Sequence, residues 1–134
     1  MNALPLRLVP GQDLRAALQQ SLHAHGVQAA FVLQGIGSLS VAQLRLAGAD
    51  AATELRGDIE ILTLAGSLSP DGAHLHMAVA DAQGRVVGGH VAAGCIVRTT
   101  AEVLIAVLPG HRFAREPDAA SGYSELVVYP EAAP

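Results

Sequence analysis

The segment between His74 and His90 constrains the fold more than any other stretch of the chain. Residues 74–80 alternate apolar with other side chains, Asp81-Ala82-Gln83-Gly84 has the composition of a tight turn, and residues 85–92 follow as a second extended run. A β-hairpin is the expected product. Residues two apart in a strand share a face, so His74 and His76 point to the same side. A hairpin centred on Gln83 sets His90 directly across from His76, because each lies seven residues from that centre. Directly opposed side chains bring their Cβ atoms to about 4.5–5.5 Å. Three imidazoles therefore converge, provided the register holds, since a slip of one residue would send His90 to the other face.

Gly88-Gly89, just before His90, strips side chains from the neighbourhood of this trio. Glycine inside a strand marks a bulge or the close approach of another backbone or ligand. Three neutral imidazoles with one position left over describe a zinc site that can hold an activated water. The same donors also suit iron, nickel or copper. The competing reading is three polar residues on a solvated sheet face. Convergence on one spot beside paired glycines favours the site.

Around this hairpin the chain reads as further strands and one helix. Residues 4–9 form a first strand, ended by Pro10-Gly11. Asp13 is placed to cap a helix in which Leu14, Ala17, Leu18 and Leu22 recur at helical spacing, with Gly26 closing it. Residues 29–34 form a strand that Gly35-Ile36-Gly37-Ser38 is expected to break as a turn, and 41–46 and 59–65 form two more. Residues 66–72 are expected to be a loop, 95–108 a long strand, 109–122 irregular chain and 123–129 a short closing strand. One helix among many antiparallel strands gives an α+β fold, an antiparallel or mixed β-sheet with its main helix packed on the sheet. A single domain over residues 1–130 is expected, with 131–134 a disordered tail.

Composition narrows the function classes. Apolar residues make up 51% of the 134 and charged residues 15%, which suits a packed core. No apolar run approaches the roughly 20 residues that span a bilayer. The N-terminus lacks the pattern of a secretory signal, so no membrane association and a cytoplasmic location are expected. The lone Cys95 has no visible activating partner and reads as a small buried apolar residue. Net charge is −4, with eight arginines and no lysine, so the attraction to phosphates that drives nucleic-acid binding is missing.

Outside the trio, two residues are candidates for a catalytic or supporting role. Glu102, within an otherwise apolar strand, could orient a ligating histidine. Arg115, with Arg112, flanks Phe113 and could hold an anionic group or another subunit. His23 and His25 fall at the helix end, where a cation suits the dipole, and His111 carries no assigned role.

Several segments taken together resemble the plants-and-prokaryotes conserved (PPC) domain family in its stand-alone prokaryotic form. They are Gly66, His74-Leu75-His76, Gly88-Gly89-His90 and Thr100-Ala101-Glu102-Val103. Gly35-Ile36-Gly37-Ser38, Glu60-Ile61-Leu62 and Phe113-Ala114-Arg115 before Gly122 fit as well, so the likeness covers nearly the whole chain. The resemblance implies a homotrimer and a metal, taken as zinc, on His74, His76 and His90. Plant members join this domain to an AT-hook built around Arg-Gly-Arg-Pro, and the sequence contains no such segment. Their label as DNA-binding proteins does not transfer by fold alone. Three functions compete on these residues: a metal-dependent enzyme acting on a small molecule, a non-catalytic oligomeric ligand-binding module, and a DNA-binding or regulatory protein.

Overall fold

A computed structural model describes residues 1–130; the tail expected at 131–134 lies outside the described residues. The chain runs through β1 (Asn2–Leu8), α1 (Leu14–Ala24), β2 (Ala30–Arg45), β3 (Thr53–Ser69), β4 (Gly72–Ala80), β5 (Val86–Val91), β6 (Ile96–Val107), β7 (His111–Pro117) and β8 (Ser124–Pro130). Strands β1 to β6 form one sheet in the order β1-β6-β2-β3-β4-β5, and β7 pairs with β8 as a separate hairpin. The expected α+β class holds. All the strand pairings are antiparallel.

Asp13 starts α1 as expected. Its Oδ1 accepts the Ala16 N–H at 3.0 Å while Oδ2 accepts the Gly94 N–H at 2.6 Å, tying the helix start to the turn before β6. Leu14, Ala17, Leu18 and Leu22 are buried, so the helical stripe read from the sequence is the face that meets the sheet. These residues join one core with the inward side chains of the strands, among them Val32, Leu44, Leu64, Leu75, Val79, Val91 and Ile105. At the far end His25 caps the helix, with its Nδ1 2.8 Å from the Ser21 carbonyl oxygen.

Three expectations change. Gly35-Ile36-Gly37-Ser38 is not a turn: β2 continues through it, because its backbone is held on one side by β6 and on the other by β3. Gly37 pairs with Ala101 and has φ +155, and a Cβ there would run into β6 at the Thr100 carbonyl. Residues 66–72 are mostly strand, since β3 runs to Ser69 and β4 begins at Gly72. The stretch 109–122 is not irregular; it contains β7, whose partner β8 closes over a turn at residues 118–123.

One pairing shapes the site more than the others. The long β2 twists far enough that its end reaches β5, with Leu44 opposite Val91 and Arg45 opposite His90. β5 is therefore bound by β4 on one side and by β2 on the other, and strands β2 to β5 close on themselves.

Candidate metal centre

The hairpin arithmetic holds in the structure. β4 pairs with β5 with His76 opposite His90, and the pairing proceeds evenly to Ala80 opposite Val86. Leu75 and Met77 are buried in the core, so the alternation turns His74 and His76 outward. The ring centroids lie 4.9 Å apart for His74 and His76, 5.2 Å for His74 and His90, and 4.2 Å for His76 and His90. One ring nitrogen from each falls within 4.8 Å of the others, and no Cys, Asp or Glu among the described residues joins the group.

The His74 and His76 Nε2 atoms are 3.1 Å apart. Two nitrogens on one tetrahedral metal, each at about 2.0–2.1 Å, would be about 3.3 Å apart. The donor set thus fits a single small divalent ion with little adjustment. Electrostatics suit it as well, because a metal needs neutral imidazoles. Burial, then the Arg115 cation and then the other two histidines hold the His74 pKa below its ordinary value, against a raising contribution from Glu125. His90 is lowered by burial, by His76 and by Arg45.

Paired glycines let the strands approach. Gly89 sits where β2 crosses, and a Cβ on it would stand 2.7 Å from the Arg45 carbonyl oxygen. Its neighbour Gly88 faces β4, with the Met77 carbonyl oxygen 3.0 Å from the same construction. The expectation of close backbone approach is met at Gly89, by β2.

Of the two further candidates, the structure brings one to the trio. Arg115, on β7, donates from its guanidinium to the Ser67 hydroxyl at 2.8 Å, and Ser67 lies directly opposite His74. Its backbone N–H donates to Asp71 at 2.9 Å, which anchors β7 beside the start of β4. Glu102 is exposed on β6, opposite Arg7 and Ile36, and does not approach the histidines. Ile36 and Arg45 are nine residues apart along β2, roughly 25–30 Å of strand, which separates Glu102 from His90. Arg112 instead lies over the Tyr129 ring at 4.3 Å. Cys95 is buried, as expected, with its thiol pKa raised by burial.

Sequence reasoning misses Arg45. A groove of about 950 Å³ opens beside the trio, and Arg15, Arg45 and Arg115 line it together with His74 and His90. The signal for Arg45 is its outward parity next to buried Leu44, but nothing local says which strand its face would meet.

The chain matches known proteins along most of its length. Residues 1–109 match the model of the Plants and Prokaryotes Conserved (PCC) domain. Over 132 residues the chain is 52% identical to a Synechococcus protein named Bifunctional protein GlmU, covering 98% of this chain and 21% of that protein. A protein of the same name from a second Synechococcus strain matches at 52% over 128 residues, again with 21% of its length covered. The chain thus spans about a fifth of the length of the curated relatives it matches. Among solved structures, a hypothetical protein from Salmonella cholerae-suis superposes with a TM-score of 0.93 at 42% identity, covering 96% of this chain and 94% of that one. A protein from Archaeoglobus fulgidus described as metal-containing has a TM-score of 0.83 at 26% identity, covering 95% and 94%. A Bacteroides thetaiotaomicron protein described as a DNA-binding candidate shares the fold, with a TM-score of 0.84 at 20% identity, covering 94% and 91%.

Proposed function

The chain belongs to the Plants and Prokaryotes Conserved domain family, and from that premise we propose that it is a metal-binding protein in which His74, His76 and His90 hold one divalent transition metal. The single observation that carries this reading is the convergence of three ring nitrogens within 4.8 Å, with two of them 3.1 Å apart. The description of the Archaeoglobus relative as metal-containing supports it. Zinc is the metal we assign, because three imidazoles with one position left open are a common zinc donor set. With no fourth protein donor in the group among the described residues, one position stays open to a small molecule. A bound metal supplies Lewis-acid chemistry there, and this suits a small-molecule enzyme as well as a ligand-binding module.

The test is elemental analysis of protein purified without chelators or affinity metal. Near-stoichiometric metal that disappears in His76→Ala is the expected result. Finding no transition metal, with none taken up on addition, sinks the reading.

We also assign a homotrimer. Phe31, Leu33, Ile36, Leu62 and Leu104 stay exposed on the central strands β2, β3 and β6, an apolar area of the kind that subunits cover. Light scattering should give a trimer mass that falls in Ile36→Glu; a monomeric wild type at micromolar concentration counts against the assignment. Direct DNA binding is not part of this reading. The chain carries −4 net charge and contains no Arg-Gly-Arg-Pro segment. Saturable binding to A·T-rich duplex with a steep negative salt slope would reverse that exclusion.

A further inference from the structure

Three of the eight arginines meet at the groove beside the trio, and among the described residues none of their guanidinium groups has an ion-pair partner. The ion pairs among those residues are Arg56–Glu54, Arg85–Asp81 and Arg98–Asp58, all elsewhere. Arg15 donates to the Val91 carbonyl at 3.3 Å, Arg45 to the Ala49 carbonyl at 3.3 Å, and Arg115 to the Ser67 hydroxyl at 2.8 Å. Each of these contacts uses one terminal nitrogen, so most of every guanidinium fork is left over. All three residues are half-buried, and a guanidinium cannot shed its charge to relieve the burial.

Two of them are placed by the same pairings that place the histidines. Arg45 is the direct cross-strand neighbour of His90. Arg115 is bound to Ser67, the direct neighbour of His74. The cations therefore flank the trio on the groove side. Carboxylates are present on the same groove in Asp50, Asp71 and Glu125, but Asp71 is engaged by the Arg115 backbone and none lies within ion-pair distance of an arginine. A divalent ion on the histidines would leave the groove with an excess of positive charge.

We propose that this groove is an oxyanion subsite. It takes a small molecule bearing a carboxylate or phosphate, whose anionic group lies on Arg45 and Arg115 while another part of the molecule reaches the open position of the metal. The proposal rests on the metal reading given above. Planar guanidinium forks match both kinds of oxyanion bidentately, so the geometry selects charge and shape ahead of the atom at the centre.

The experiment is calorimetric titration of the zinc-loaded full chain with inorganic phosphate and, separately, with malonate, the two arms deciding which oxyanion is preferred. Zinc content is measured on every sample first. At least one probe should bind saturably, about tenfold or more weaker in Arg45→Gln and in Arg115→Gln, with zinc content unchanged. His76→Ala should weaken the same probe as it loses the metal. Arg45→Gln keeps the test valid if Arg115→Gln disturbs the docking of β7. Failure of both probes to saturate, or wild-type affinity in both arginine variants, overturns the subsite. Unchanged affinity in His76→Ala overturns the bridging of subsite and metal. If the wild type takes up no zinc, the metal reading has failed instead. The same titrations on the metal-free chain then decide the oxyanion subsite by arginine dependence alone.

Discussion

Gly89→Ala tests the contact on which the groove depends. The glycine has no unusual backbone angle, so alanine would bring no conformational strain there. Its cost is contact alone: the new methyl would meet the Arg45 carbonyl oxygen at 2.7 Å and the carbonyl carbon at 3.2 Å. Both are backbone atoms and cannot rotate away. Relief requires β2 and β5 to separate, which weakens the pairing of Leu44 with Val91 and of Arg45 with His90. Overpacking of this kind costs about 1–3 kcal/mol. Weakened ladder bonds would add about 1 kcal/mol. A total near 2–4 kcal/mol lowers the melting temperature of a chain this long by roughly 7–14 °C. Circular dichroism melts of the metal-free protein, with a urea titration to verify an unchanged slope, give the number. The His76–His90 register belongs to the other edge of β5, so metal uptake should survive the substitution. A variant that melts within about 2 °C of wild type would show that β2 does not press on β5, and the placement of Arg45 beside His90 would fall with it.

Three further outcomes follow from named contacts. Burial first and neighbouring cations second hold His74 and His90 below the ordinary 6.5, so in metal-free protein the unfolded chain takes up protons before the folded one. Stability should accordingly be full above pH 6.5 and decline as pH falls through the lowered values, a decline that urea midpoints would record and that His74→Gln would flatten. Asp13→Ala removes both the cap on Ala16 and the link to Gly94, and should cost about 2–4 kcal/mol by denaturant titration; a loss under about 0.5 kcal/mol would mean the link to Gly94 contributes nothing. Cys95, buried with its thiol pKa raised, should react with a thiol reagent only as fast as the protein unfolds, and rapid labelling of native protein would contradict that burial.

The histidine trio is legible in the amino-acid sequence because it is a local construction. A strand parity and a turn centre fix it, and every residue involved lies within one hairpin. The helix stripe is legible for the same reason. The second hairpin is open to the same arithmetic, since His111 pairs with Pro130 and Pro117 with Ser124 about a centre near residue 120. It escapes detection because Arg112, Arg115 and Glu116 mask the alternation around Phe113, and a charged stretch of that kind resembles irregular chain. The turn expected at Gly35 to Ser38 fails differently. Glycines there serve the crossing of neighbouring strands, and only the two flanking ladders reveal that. Glu102 lies between buried Ala101 and Val103, so its outward direction is legible, while its distance from the histidines depends on where β6 enters the sheet.

The two halves of the candidate site therefore rest on different parts of the fold. The imidazoles need β4, β5 and the turn between them. The cations need two long-range events: closure of β2 on β5 for Arg45, and docking of β7 against Asp71 and Ser67 for Arg115. β2 meets β5 at two residue pairs, and sparsely bonded regions open first when a structure is destabilised. A protein with a strained seam at Gly89 should then keep its metal while losing grip on an anion. The same holds for one whose β7–β8 hairpin has come free. On the proposed reading, only a wild type in which both seams are closed would offer a metal site and the guanidinium forks to one ligand at once.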